Sequence, residues 1–251
     1  MEIIITSNYN KLCEECIRII SDRLHQKPNL VMGLPAGKTP LGVYRKLVRA
    51  YHQGNLDFSR IRIFNLDEYV GLPTDSKHSF HYYLWNNLLR HINIKRSNIY
   101  LLDSTKPDLE KASQNYEKKI KAMDGIDLMM LGIGKNGHIG FNEPGSSLSS
   151  RTRVKTLIPT SAQSKPRFVL TMGIGTIMEA KEVIILARGN AKAGIVKKMV
   201  EGSITADVPA SVLQWHPRVI CILDRASARL LKKKKYWQWI RKHKIEMVEK
   251  D

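Results

Sequence analysis

The chain has 251 residues, 43% hydrophobic and 25% charged, a balance that excludes wholesale disorder and suits one large α/β domain or two small ones. Forty-one Lys and Arg against 23 Asp and Glu leave a formal charge of +18, which calls for an anionic partner without saying whether it is nucleic acid, membrane or small substrate. No apolar run approaches the roughly 18–20 residues that cross a bilayer, Met1–Thr6 has no leader-like basic region, and three cysteines (Cys13, Cys16, Cys221) cannot frame a disulfide scaffold, so a reducing, cytoplasmic setting is expected.

Short apolar runs alternate with amphipathic stretches. Ile3–Thr6 reads as a strand. Residues 10–25 read as a helix with Leu12, Cys16, Ile20 and Leu24 on one stripe. Residues 29–32 are strand-like, and 33–39 form a Gly/Pro loop. Pro40 then suits the first position of a helix to about residue 51, where its missing N–H costs little. Ile61–Phe64 is a strand, 79–90 a helix and 108–123 a helix. Residues 126–131 are a strand, apolar but for Asp127, and Glu182–Ala187 and Val219–Leu223 repeat that theme. Apolar strands separated by helices predict an α/β fold: a mostly parallel open sheet with helices on both faces, Rossmann-like and three-layered. Ligands in such sheets bind beyond the carboxyl ends of the strands, which directs attention to the loops after Met32, Phe64 and Leu131.

The first of these loops, Gly33-Leu-Pro-Ala-Gly37-Lys38-Thr39-Pro40, is one residue short of a Walker A loop and carries two prolines. A nucleoside triphosphate cannot be wrapped by it in the usual way. A simpler phosphate cradle remains, because glycine admits backbone N–H groups to an anion and the following helix start favours negative charge. The second, Asn65-Leu-Asp67-Glu68-Tyr69, places two carboxylates after a strand with no neighbouring cation. One could act as a general base, although paired acids are commonly only solvated surface. The third runs Gly132-Ile-Gly134-Lys-Asn136-Gly137-His138-Ile-Gly-Phe-Asn142-Glu143-Pro-Gly145. It matches Gly-x-Gly-x-x-Gly formally but not as a dinucleotide site, since no amphipathic helix and no ribose-binding acid follow. What it offers is Asn136, His138 and Glu143, a titratable imidazole with a carboxylate able to fix its tautomer.

Three other features carry less. Cys13-Glu-Glu-Cys16 lies in a helical stripe with no second pair, so core packing is expected rather than a metal. Residues 144–178 contain no acid while holding Arg151, Arg153, Lys155, Lys165 and Arg167, either a solvated surface or an anion-binding region. Residues 229–244 carry eight Lys and Arg with Tyr236, Trp237 and Trp239. They are expected to form a docked terminal helix with a basic outer face, with neither a specific nucleic acid nor a membrane as partner.

Taken together, the Leu34–Pro40 loop, residues 65–73 (Asn-Leu-Asp-Glu-Tyr-Val-Gly-Leu-Pro) and 132–148 (through Gly-His-Ile-Gly-Phe-Asn-Glu-Pro-Gly-Ser-Ser-Leu) resemble the glucosamine-6-phosphate deaminase (isomerase) family, in the superfamily that includes 6-phosphogluconolactonase. The resemblance runs from the first strand to about residue 223, and Asn-Glu-Pro-Gly with Asp-Glu-Tyr favours the deaminases. It implies a single domain over 1–251 that converts glucosamine 6-phosphate to fructose 6-phosphate and ammonia. Asp67 aligns with the base that moves a proton from C2 to C1, His138 with the group that opens the sugar ring, and Glu143 and Asn136 with the residues that tune it. Gly37, Lys38, Thr39 and Lys192 align with phosphate contacts. No metal or organic cofactor is implied, and the partner is a small amino-sugar phosphate, with the chain a monomer or a homo-oligomer. Ser146, Arg153, Lys155 and Tyr236 resemble an allosteric site of longer relatives.

Two departures from the family pattern matter. Lys38 replaces a small residue, and the lid near residues 156–166 is short, leaving its phosphate-binding arginine without a counterpart. Lys38 is therefore expected to supply the missing charge. Galactosamine 6-phosphate as substrate, or a non-catalytic sugar-phosphate-binding protein, are the alternatives this leaves.

Overall fold

A computed structural model describes residues 1–157 and 168–248, with side chains through His243. Seven parallel strands form the main sheet: β1 (Glu2–Thr6), β2 (Val31–Leu34), β3 (Arg62–Asn65), β5 (Ile99–Tyr100), β6 (Leu128–Gly132), β9 (Glu182–Ala187) and β10 (Val219–Asp224). Their spatial order is β1-β10-β9-β6-β2-β3-β5. A small antiparallel sheet joins β4 (Asp67–Tyr69), β8 (Phe168–Thr171) and β7 (Arg153–Thr156) in the order β4-β8-β7.

Alternate strand residues face opposite sides, and each side has its own core. Ile4, Met32, Ile63, Met130, Ile184 and Ile222 pack with Leu12, Cys16 and Ile20 of helix α1 (Tyr9–Gln26), Val43 and Leu47 of α2 (Leu41–His52) and Leu84 of α3 (Phe80–Asn87). On the other side, Ile3, Phe64, Leu131, Ile185 and Cys221 meet Tyr116 and Ile120 of α4 (Leu109–Ala122), Ile177 of α5 (Ile174–Met178) and Val196 of α6 (Ala193–Glu201). The three-layer α/β/α architecture follows directly from that alternation.

The helices expected over 10–25, 40–51 and 108–123 form within a residue or two of those ends, whereas the terminal helix expected over 229–244 runs from Lys234 to Val248. Asn8 and Asp108 cap α1 and α4 by accepting from the backbone N–H of Lys11 and Lys111. Cys13 and Cys16 are buried, as the packing reading expects. Three local expectations are corrected. Gly33 and Leu34 belong to β2 rather than to the loop. Asp67 begins a short strand rather than sitting in a loop. The stretch 79–90 is a shorter helix followed by a separate 3₁₀ turn over Leu89–His91.

Charge is sorted along the strands. At their amino ends Arg23 pairs with Glu182 at 2.7 Å and Lys27 with Asp127 at 2.6 Å. Asp127 Oδ2 also accepts the Val31 N–H, which accounts for the one acid in an apolar strand. The terminal helix α7 (Lys234–Val248) lies beside β1, held by an Arg241–Glu15 ion pair of 2.9 Å and by Trp237 against the core. The lid region from 158 to 167, including Lys165, Pro166 and Arg167, lies outside the described residues.

Candidate active site

From β2 the chain moves outward to β3 and β5, then returns to the other side of β2 as β6 and proceeds outward through β9 and β10. The sheet therefore reverses its build direction between β2 and β6, the place where adjacent loops splay apart and leave a crevice. The carboxyl ends of β2, β3, β6 and β9 all open there, and they carry the Gly37–Thr39 loop, Asp67, the 134–143 loop and Lys192.

Asp67 sits at the seam of the two sheets. β3 ends at Asn65, Leu66 accepts the Met172 N–H at 2.7 Å, and Asp67 then pairs with Thr171 across the small sheet. The two neighbouring acids have opposite surroundings. Glu68 accepts three backbone N–H groups, from Tyr69 and Phe80 (2.9 Å each) and from His81 (2.8 Å), and so caps the head of α3. The Asp67 carboxylate is buried and accepts no hydrogen bond among the described residues. Burial, with a smaller contribution from Glu68, pushes its pKa up to about 8. A solvated surface acid would show neither feature.

The loop after β6 is built around His138. Its Nδ1 lies 2.9 Å from Glu143 Oε1, a close approach that is not aligned as a hydrogen bond. Asn136 Nδ2 donates to Glu143 Oε2, and Asn136 Oδ1 accepts the His138 N–H at 3.3 Å. Burial holds the imidazole pKa below its usual range, with Glu143 opposing and nearby Lys192 reinforcing the shift. The neutral form is favoured, as a group exchanging protons near pH 7 requires. Gly134 is obligatory here, because a Cβ on it would lie 2.4 Å from the His138 ring.

Gly140 connects the two centres. Its Cβ position would lie 3.7 Å from Asp67 Oδ2 and 3.1 Å from Thr171 Oγ1, and it is two residues from His138. The adjacent Phe141 ring lies parallel to His138 at 6.5 Å and edge-on to Tyr69 at 5.7 Å. Carboxyl and imidazole therefore border the same loop. Lys192 donates to Ile133 O at 2.6 Å, and burial lowers its pKa. Lys38 is exposed, while Gly37 takes a left-handed φ of 127° that only glycine adopts readily.

The loops after β2, β3 and β6 thus open at one switch point, and known proteins bear on them. The family model for glucosamine-6-phosphate isomerases and 6-phosphogluconolactonase matches residues 6–221. The chain belongs to this family. It is 43% identical to the glucosamine-6-phosphate deaminase of Thermoanaerobacter pseudethanolicus, over 92% of this chain and 95% of that one. It is 40% identical to that of Clostridium perfringens strain 13, over 92% and 100%. A solved monomeric glucosamine-6-phosphate deaminase superposes with a TM-score of 0.89 at 40% identity, covering 92% of this chain and 100% of the other. The 6-phosphogluconolactonase of Trypanosoma cruzi, at 24% identity and a TM-score of 0.77, covers 92% of this chain and 97% of its own and shares the fold.

Within this member of the family, Ser146 and Arg153 both border the 142–146 segment. Among the described residues the buried Ser146 hydroxyl has no hydrogen-bond partner, and Arg153 donates to Asn142 Oδ1 at 3.0 Å. Lys155 is further along β7, on the same strand as Arg153. Tyr236 stands on α7 beside β1, and among the described residues no contact joins it to the other three. The acid-free run is partly ordinary structure, since Arg151 is paired with Glu117 and Glu179 at 2.5 Å each. A separate open groove of about 1100 Å³ is lined by His81, Trp85, Arg96 and Tyr116. Asp67, Asn136, His138 and Glu143 do not line it.

Sequence reasoning passed over Thr171, which faces Asp67, and Asn142, whose Nδ2 ties Ile139 O and Met172 O at 2.9 and 2.8 Å. It also passed over Tyr9, Tyr44 and Tyr83 around the Gly37 loop. The tyrosines are far apart in sequence and carry no local motif. Asn142 was within reach, as the polar residue next to Glu143 in a glycine-rich loop.

Proposed function

We propose that this chain isomerises and deaminates glucosamine 6-phosphate, yielding fructose 6-phosphate and ammonia. The observation that carries the reading is the uncapped, buried Asp67 carboxyl bordering the same loop as the His138–Glu143–Asn136 group. A packed structural acid would have the partners that Glu68 has.

In this reading the phosphate lies against the Gly37–Thr39 loop, with Lys38 and Lys192 as cations, which holds the sugar in register. Neutral His138 takes the proton from O1 and returns one to O5, opening the ring, while Glu143 stabilises the imidazolium that forms in passing. Asp67, on the other side of the sugar, removes the C2 proton and delivers it to C1. The C2 amine becomes an imine, water adds to C2, and ammonia departs. A substrate ammonium at C2 favours the ionised form of a carboxyl otherwise protonated near neutral pH. That preference selects an amino sugar over a plain hexose phosphate.

Ammonia release from glucosamine 6-phosphate, run beside galactosamine 6-phosphate, tests the proposal. Turnover of the gluco substrate, lost in Asp67→Asn, is expected. Preferred turnover of the galacto substrate would reassign the substrate, and binding without any ammonia would leave a sugar-phosphate-binding protein. The Lys38 assignment predicts that Lys38→Ala raises KM by about ten-fold or more, as for loss of a charged hydrogen bond. An unchanged KM rejects it.

A further inference from the structure

The loop from Pro35 to Thr39 is held by three tyrosines from three different helices. Tyr44 of α2 donates to Pro35 O at 2.5 Å, Tyr83 of α3 to Gly37 O at 2.5 Å, and Tyr9 of α1 to Thr39 O at 2.6 Å. The short contacts fall on alternate residues of one five-residue loop, with the Tyr9 hydroxyl also 3.5 Å from Lys38 O. The Tyr9 hydroxyl also accepts the Gly42 N–H at 2.9 Å, tying the loop to the first turn of α2.

This pattern has a directional consequence. In a planar trans peptide the C=O of one residue and the N–H of the next point opposite ways. Drawing the carbonyls of Pro35 and Gly37 toward the tyrosines turns the N–H groups of Ala36 and Lys38 the other way. Among the described residues neither of those N–H groups has an acceptor. The third tether has no such N–H, since residue 40 is proline, and it sets the loop's exit into the helix instead. A loop turned round would present carbonyl oxygens to a phosphate and repel it.

We propose that Tyr9, Tyr44 and Tyr83 are positioning residues for phosphate binding, holding three alternate carbonyls outward so that the intervening N–H groups face the anion. This deepens the reading of the Gly37–Thr39 loop as a phosphate cradle and rests on it. Two further observations agree. Burial raises all three phenols, Tyr83 to about 12, so they remain donors throughout the neutral range. The Arg188 guanidinium lies over the Tyr9 ring at 4.0 Å, fixing the ring and adding a cation beside the loop.

The test uses the full chain with Tyr9→Phe, Tyr83→Phe and the double variant, which remove hydroxyls and leave the rings. Affinity for inorganic phosphate is measured by calorimetry, KM and kcat on glucosamine 6-phosphate, and melting temperature on each protein. The double variant is expected to weaken phosphate binding and raise KM by about ten-fold, with kcat within about three-fold of wild type. Unchanged phosphate affinity and KM overturn the proposal, as does a fall in kcat at constant KM. If the double variant does not fold, Tyr83→Phe alone decides on the same criteria with a change of about three-fold. Wild-type protein that binds neither inorganic phosphate nor the sugar phosphate defeats the cradle reading itself. Wild-type binding with unaffected variants defeats only the role of the tyrosines.

Discussion

Asp67 and Glu68 are adjacent, buried acids with opposite surroundings, and two predictions separate them. The acid limb of kcat/KM reports the free enzyme's base, so it should rise with pH up to about 8, the value to which burial pushes Asp67. In Asp67→Asn that limb and the activity disappear together. The same shift sets a stability trend. The folded pKa lies above the unfolded one, so the folded chain holds this proton more tightly and stability falls as pH rises from about 4 through about 8. Melting curves across that range should show Asp67→Asn free of this component and, above it, more stable than wild type by about 1–3 kcal/mol, the cost of an unpaired buried group. Glu68→Ala does the reverse, stripping the acceptor from three N–H groups at the head of α3. A loss of about 2–3 kcal/mol in denaturant titration is expected. An unchanged midpoint would remove Glu68 from that role.

At the scale of elements, the sheet and helices were legible because long periodic segments declare their faces. Leu12, Cys16, Ile20 and Leu24 of α1 are all buried, as one stripe requires. The small sheet was not legible. β4 has three residues, β7 and β8 four each, too short for alternation to register, and β4 pairs with a strand about a hundred residues away. That is why Asp67 was expected in a loop. The loop after β6 was readable in its composition but not in its packing. Gly134 in that loop and Gly132 at the end of β6 look alike in sequence, yet a Cβ on Gly134 meets the His138 ring at 2.4 Å and one on Gly132 meets nothing within 4 Å. Gly134→Ala should therefore lower kcat by about a hundred-fold, by displacing the imidazole on the order of 1 Å. Gly132→Ala is the matched control and should leave kcat nearly unchanged. Equal effects of the two would show that the imidazole's seat on Gly134 is immaterial.

Over the whole molecule, the formal charge of +18 divides into cations with carboxylate partners and cations without. At the amino ends of the strands Asp127 and Glu182 are neutralised by Lys27, Lys181 and Arg23. At the carboxyl ends Lys38, Arg188 and Lys192 have no carboxylate partner among the described residues. Unpaired cations thus stand where a sugar phosphate would enter, and such a field raises the local concentration of an anion and its rate of encounter. Screening acts on encounter and not on proton transfer inside the closed site, so added salt should lower kcat/KM while sparing kcat. A several-fold fall between about 20 and 200 mM salt is expected, the range over which the Debye length drops below the width of the site. The basic face of α7 provides the contrast, because that helix lies beside β1 at the edge of the sheet. Replacing Lys232 and Lys233, just before α7, and Lys235 in its first turn by Gln removes three positive charges and should leave the salt slope of kcat/KM nearly as it was, whereas Lys38→Ala should flatten it. A slope that follows total charge, falling alike in both variants, would mean that steering belongs to the molecule as a whole and not to the rim of the crevice.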